Sequence, residues 1–173
     1  SYSVSYDFMD RWRSEADKFD RTWEDRWIRE EGYLKFISEA VSGLLGKYNL
    51  SPKDIAKVGY PCLYTREHAS IGKALGLETT QIQEHMLNTF GNVGNAYPLI
   101  LLVAALENIK SGDKVIIASF GNGSDALYFQ ATDKISDVKN KREVIKRCLA
   151  SKKNLSSYER YATFRNIIPI EKG

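Results

Sequence analysis

Cysteine is scarce in this sequence: Cys62 and Cys148 are the only two in 173 residues. They are far apart, with no Cys-x-x-Cys spacing and no Cys/His cluster, which argues against a disulfide framework and a zinc site and fits a reducing cytosol. Long hydrophobic runs are missing too. The longest uncharged apolar stretch, Ala96 to Leu106, falls well short of the ~20 residues a bilayer span requires, so no membrane association is expected. The N-terminus is polar and aromatic rather than basic then apolar, which is not a signal-peptide pattern. It also lacks an initiating Met ahead of Ser1-Tyr2-Ser3-Val4, which leads us to expect a processed chain or a fragment. Neither sign of charge dominates: 25 Lys+Arg against 22 Asp+Glu leave +3, too little for a dedicated nucleic-acid binder. Internal repeats, low-complexity segments and the Walker and dinucleotide fingerprints are all absent.

What is present is ordinary for a soluble domain. The length suits one domain, or one with a short appendage, and is enough to bury a core without staples. Phe8, Trp12, Phe19, Trp23 and Trp27 recur at a spacing compatible with one helical face, packed on a core or subunit, or forming a lid over substrate. Leu34, Ile37, Val41, Leu44, Leu45 and Tyr48 predict a helix over 30–48. A short helix starting at Pro52, a strand over 55–60 and a helix over 65–75 stopped by Gly76 follow. The almost wholly apolar stretch 99–109 predicts a helix buried on every side. Val115 to Ala118 reads as a central strand and Ala126 to Ala131 as the next. Lys134 to Lys153 is basic, with Val138, Ile145, Cys148 and Leu149 as a modest apolar face. It reads as a solvated helix, with a phosphate-binding surface as the alternative. Tyr158, Tyr161 and Arg165 keep helical spacing before the chain closes with Ile167-Ile168-Pro169.

Two glycine loops flank the apolar helix and central strand: Gly91-Asn92-Val93-Gly94-Asn95, and Phe120-Gly121-Asn122-Gly123-Ser124. Glycine lets backbone approach a ligand closely. Between Gly91 and Gly94, Asn92 presents a carboxamide that donates two hydrogen bonds without exchanging a proton. That suits an enolate or oxyanion on which charge develops during acyl transfer or carbon–carbon condensation. As a bare motif, Gly-Asn-x-Gly is also a common turn.

The series Ala74-Leu75-Gly76-Leu77, Asn88 to Ala96, Leu101 to Glu107, Ser111 to Val115 and Ser119 to Ala126 resembles the C-terminal half of thiolase-superfamily condensing enzymes. Ser5-Tyr6-Asp7-Phe8, Trp12-Arg13, Trp23 to Arg26, Glu31-Gly32-Tyr33 and the tail from Ser157 to Pro169 are similar to archaeal and bacterial 3-hydroxy-3-methylglutaryl-CoA synthase-like proteins. The resemblance implies an α/β fold: a thiolase-like half with a mixed β-sheet covered by helices over 1–133, and a basic helical C-terminal extension over 134–173. It implies a CoA-dependent acyltransferase joining acyl thioesters, with acyl-CoA as substrate, no permanently bound cofactor and no metal. Asn92 matches the family's active-site asparagine. The loop holding Gly121, Asn122, Gly123 and Ser124 lies beside the family's catalytic cysteine.

Two departures accompany the likeness. No segment matches the motif of the nucleophilic cysteine, which belongs to the N-terminal half, so the chain alone is expected to be inactive. Where the family's histidine stands, at the end of the strand over 55–60, this chain reads Pro61-Cys62-Leu63-Tyr64. Cys62 and His68 are the candidates left for proton transfer, and each has a packing role as its alternative; His85 reads as structural. Expected partners are the N-terminal half, further copies of the chain and a small zinc-ribbon/OB-fold protein. The alternative function is a non-catalytic subunit of a multi-subunit thiolase-like assembly.

Overall fold

Val115, Ile116, Ile117 and Ala118 are all buried, and the sheet is built outward from them. A computed structural model describes residues 1–137 and 143–168. In chain order they form β1 (Tyr2–Ser5), β2 (Arg11–Trp12), β3 (Arg21–Thr22), α1 (Asp25–Trp27), a π-helix (Ile28–Leu34) and α2 (Lys35–Lys47). After a 3-10 turn come β4 (Lys57–Gly59), α3 (Thr65–Ala74), α4 (Leu87–Phe90), α5 (Tyr97–Leu106), β5 (Lys114–Ala118) and β6 (Gly123–Gln130). The short helices α6 (Val144–Ala150) and α7 (Tyr158–Phe164) end the described chain.

The main sheet has the order β1-β6-β5-β4, with β5 parallel to β4 and antiparallel to β6, so it is mixed and β5 is central as the sequence predicts. The outer edge of β4 is covered: Val58 N–H donates to Gln81 O and Gln83 N–H to Val58 O, both at 2.8 Å. On one sheet face, Ile37, Val41 and Leu44 of α2 and Ile71 of α3 pack against Ile116, Ala118 and Ala126. Their spacing of three or four on α2 is why a single stripe of that helix is buried. On the other face, Ala105 of α5 and Ile109 pack against Val115 and Ile117.

Several expectations need correction. The N-terminal aromatics share no helical face. Asp17 accepts hydrogen bonds from Ser14 N–H, Ser14 Oγ and Arg21 Nη2, closing a small hairpin between β2 and β3. Such local side-chain bonds compete with helix. The rings cluster instead across the hairpin: Phe8 stacks on Trp27 at 4.2 Å, and Trp23 sits between Trp12 and Trp27, while Phe19 is exposed. The helix expected over 30–48 begins earlier and is widened through Ile28–Leu34, where Phe8 and Phe120 crowd Gly32. A β-carbon there would lie 2.9 Å from Phe8 and 3.1 Å from Phe120, so the widened turn carries a glycine.

Helix α5 starts two residues before the expected start and is not buried on every side. Its first turn holds Pro98, and Leu101, Ala104 and Ala105 are covered, but Leu99 is 62% exposed. Leu127 and Phe129 lie on the same sheet face, opposite Ile117 and Val115 in the ladder, and are exposed as well. Among the described residues, α5 is covered by the sheet and by α6, while Leu99 stays open. The stretch 134–153 is not one helix either, since a 3-10 turn spans Asp133–Ser136 and α6 begins only at Val144. Ile145 packs on Tyr97, Leu101 and Ala104, and its N–H donates to Glu107 Oε1 at 2.6 Å, anchoring α6 to α5. Cys148 is exposed rather than part of an apolar face; Val138 and Pro169 lie outside the described residues. Among the described residues, no helix is long and apolar enough to cross a membrane.

Candidate active site

The two glycine loops meet. A cleft of about 660 Å³ is lined by Asn92, Gly94, Asn95 and Tyr97 together with Ser119 through Asp125. Pro61, just after β4, Tyr33, from the π-helix, and Asp10 and Arg11 also line it.

Each loop is held by its own hydrogen bonds. Asn92 Oδ1 accepts from Gly94 N–H at 2.9 Å, so its carboxamide is oriented with the oxygen already engaged. Gly91 (φ +76°) and Gly94 (φ +59°) supply the left-handed turns on either side. In the second loop, Ser124 Oγ donates to Ser119 O at 2.7 Å and Asp125 N–H to Ser119 Oγ at 3.0 Å. Gly121 N–H donates to Gly123 O, and Tyr6 N–H to Asn122 O, both at 3.0 Å. Gly123 has φ +127°, and a β-carbon there would run into the Val4 carbonyl, so the strand-to-loop junction requires glycine. The Ser124 hydroxyl is buried and committed to this scaffold.

The other sequence candidates lie apart from the cleft lining. Cys62 is fully buried, its Sγ donates to Tyr64 O at 3.3 Å, and burial pushes the thiol up to about 12. It is therefore a thiol, not a thiolate, near neutral pH. His68 lies on α3 as expected, 7% exposed, with its ring 4.7 Å from Tyr60 and 5.2 Å from His85. Burial, followed by the neighbouring His85, pulls His68 down to about 4, and its Nε2 is sealed without a partner. His85 has the expected packing role: Nδ1 accepts from Leu87 N–H at 3.0 Å and its carbonyl accepts from Tyr97 Oη, fixing the turn that leads to Asn92.

This geometry has known counterparts. The family described as 3-oxoacyl-[acyl-carrier-protein (ACP)] synthase III C terminal matches residues 45–127, which hold both loops. Hydroxymethylglutaryl-CoA synthase of Methanopyrus kandleri is 27% identical over 95% of this chain and 47% of its own length. The Methanococcus vannielii protein of the same name is 28% identical over 97% and 48%. Among solved structures, MvaS in complex with 3-hydroxy-3-methylglutaryl coenzyme A superposes with a TM-score of 0.68 at 14% identity, covering 95% of this chain and 49% of MvaS. The 3-oxoacyl-(acyl carrier protein) synthase III of Pseudomonas aeruginosa PAO1 gives 0.63 at 15%, covering 75% and 42%. The chain has a thiolase-like fold and is similar to the C-terminal half of condensing enzymes of that superfamily. The chain spans about half the length of the curated relatives it matches.

The fold brings Asn92 and the Phe120–Ser124 loop to one cleft and does not bring Cys62 or His68 there. Among the described residues, no histidine lines the cleft, and no group of three His, Cys, Asp or Glu side chains could hold a metal ion. Tyr33 lines the cleft without a sequence signal of its own. The helical periodicity absorbs it, and only the adjacent Gly32 marks the position, through the crowding by Phe8 and Phe120.

Proposed function

We propose that this chain supplies the asparagine-bearing wall of a CoA-dependent condensing site, working with an N-terminal half that carries the nucleophilic cysteine. The observation that carries the reading is the convergence of the two glycine loops on one cleft, with the Asn92 carboxamide oriented by Gly94. A cysteine thiolate in the other half would hold the acyl group as a thioester. The Asn92 amide would donate to the enolate or oxyanion as carbon–carbon bond formation places charge on it. Acyl-CoA is the substrate class, with no resident cofactor. Residues 1–133 form the half-domain and 134–173 an appendage to it.

The exposed Leu99, Leu127 and Phe129 form the apolar surface that the N-terminal half would cover, and further copies or a zinc-ribbon/OB-fold protein would complete the assembly. Two free thiols are in keeping with a reducing cytosol. The test is to co-express the chain with the Cys-bearing half and assay condensation of two acyl-CoA thioesters by mass spectrometry of the product. Formation of a condensed thioester only when both halves are present supports the reading.

A second reading is a non-catalytic interaction subunit. It is favoured by the cleft's lining, which among the described residues offers no imidazole for proton transfer. An assembly that binds acyl-CoA, contains this chain and forms no condensed product would establish it.

A further inference from the structure

Tyr33 is buried and yet leaves a polar group unused. Only 6% of its surface is exposed, and its ring is clamped, stacked on Phe120 with centroids 3.8 Å apart and edge-on to Tyr64 at 5.8 Å. Buried tyrosines usually find a partner for the hydroxyl. The Tyr33 hydroxyl has none among the described residues. It is not sealed either: among the described residues, the sealed, unpartnered side-chain atoms are Ser38 Oγ and His68 Nε2. Tyr33 lines the same cleft as Asn92, and its unpartnered hydroxyl keeps some exposure. The backbone that places it is a π-helix of seven residues, a rare form that recurs at functional sites.

We propose that Tyr33 is a second hydrogen-bond donor of this cleft, a catalytic residue whose phenol donates to the carbonyl oxygen of an acyl thioester as negative charge develops there. This rests on the condensing reading above and deepens it by naming a donor that the glycine loops do not supply. The proton stays on the phenol throughout, and no bond to it is broken. Burial raises the Tyr33 phenol well above its ordinary range; Cys62, Asp10 and Tyr64 push the same way and Arg11 opposes them. The hydroxyl is therefore a donor at any working pH. Two preorganised donors stabilise an oxyanion more than one, because neither has to reorient as charge appears.

The test uses the assembly of this chain with its Cys-bearing half. Tyr33→Phe keeps the ring on Phe120 and removes only the hydroxyl. The expected result is a fall in kcat of about 100-fold with KM for the acyl thioester changed less than about threefold. The second readout needs no turnover: the C=O stretching frequency of a bound, unreactive acyl-CoA analogue with a labelled carbonyl. Tyr33→Phe is expected to raise that frequency, and 3-fluorotyrosine at position 33, which keeps ring and hydroxyl, to lower it. If Tyr33→Phe fails to fold, the fluorinated variant alone gives the answer. An unmoved frequency, or wild-type kcat in Tyr33→Phe, overturns the proposal while leaving the condensing reading intact. A wild-type assembly that binds thioester without condensing it removes that reading, and the frequency still decides Tyr33. No thioester binding by the wild type overturns both.

Discussion

Asn92 Oδ1 accepts the Gly94 N–H at 2.9 Å, and its Nδ2 has no partner among the described residues. An asparagine in this turn has one end tied to backbone and the other free to donate into the cleft. Asn92→Asp keeps the acceptor for Gly94 and replaces the donor with a second oxygen, which repels a developing oxyanion. In the assembled enzyme, kcat is expected to fall at least about 100-fold in Asn92→Asp and in Asn92→Ala, with the thermal midpoint little changed in the former. Steady-state kinetics beside a melting curve measures both.

Cys62 is expected to be chemically silent. With its thiol pushed up to about 12 by burial, about one molecule in ten thousand is a thiolate at pH 8. Brief iodoacetamide treatment of the folded chain, followed by peptide mapping, should label the exposed Cys148 and leave Cys62 unlabelled until denaturant is added. Labelling of Cys62 at the rate of Cys148 would contradict the burial described.

His68 makes stability fall in mild acid. In the folded chain it titrates at about 4, against 6.5 unfolded, so between those values only the unfolded chain takes up the proton. Stability from this group is complete above pH 6.5, declines as the pH drops toward 4, and then levels. Urea midpoints at pH 7 and pH 4.5 should show a loss of roughly 2 kcal/mol in the wild type that His68→Leu lacks.

The open side of α5 should drive association when the chain is alone. Leu99 of α5 and Leu127 and Phe129 of β6 are exposed apolar side chains. Sedimentation at micromolar concentration is expected to show self-association of the isolated wild type, with Leu99→Glu shifted toward monomer. The same substitution should weaken co-purification with the Cys-bearing half.

The sequence was legible where one residue's surroundings lie close by in the chain. The run Val115 to Ala118 could only be a central strand, and Gly91 and Gly94 around Asn92 signalled a loop that frees a carboxamide. Longer-range geometry escaped it. The aromatic spacing from Phe8 to Trp27 matched a helix because helical period cannot register that Asp17 ties Ser14 to Arg21 across a hairpin. The apolar stretch from Leu99 promised burial on all sides, yet Leu99 is exposed. Tyr33 carried no sequence signal of its own, since its exposure to the cleft depends on the π-helical turn and on Phe120, far along the chain.

On the function proposed above, an acyl thioester lies between the two glycine loops with its oxygen toward Asn92. A crystal structure of the assembled halves with an unreactive acyl-CoA analogue measures this directly. The account predicts the thioester oxygen within about 3 Å of Asn92 Nδ2, with the Gly94 hydrogen bond retained. An analogue bound with its acyl group outside this cleft, or with Asn92 turned away from it, would contradict the account.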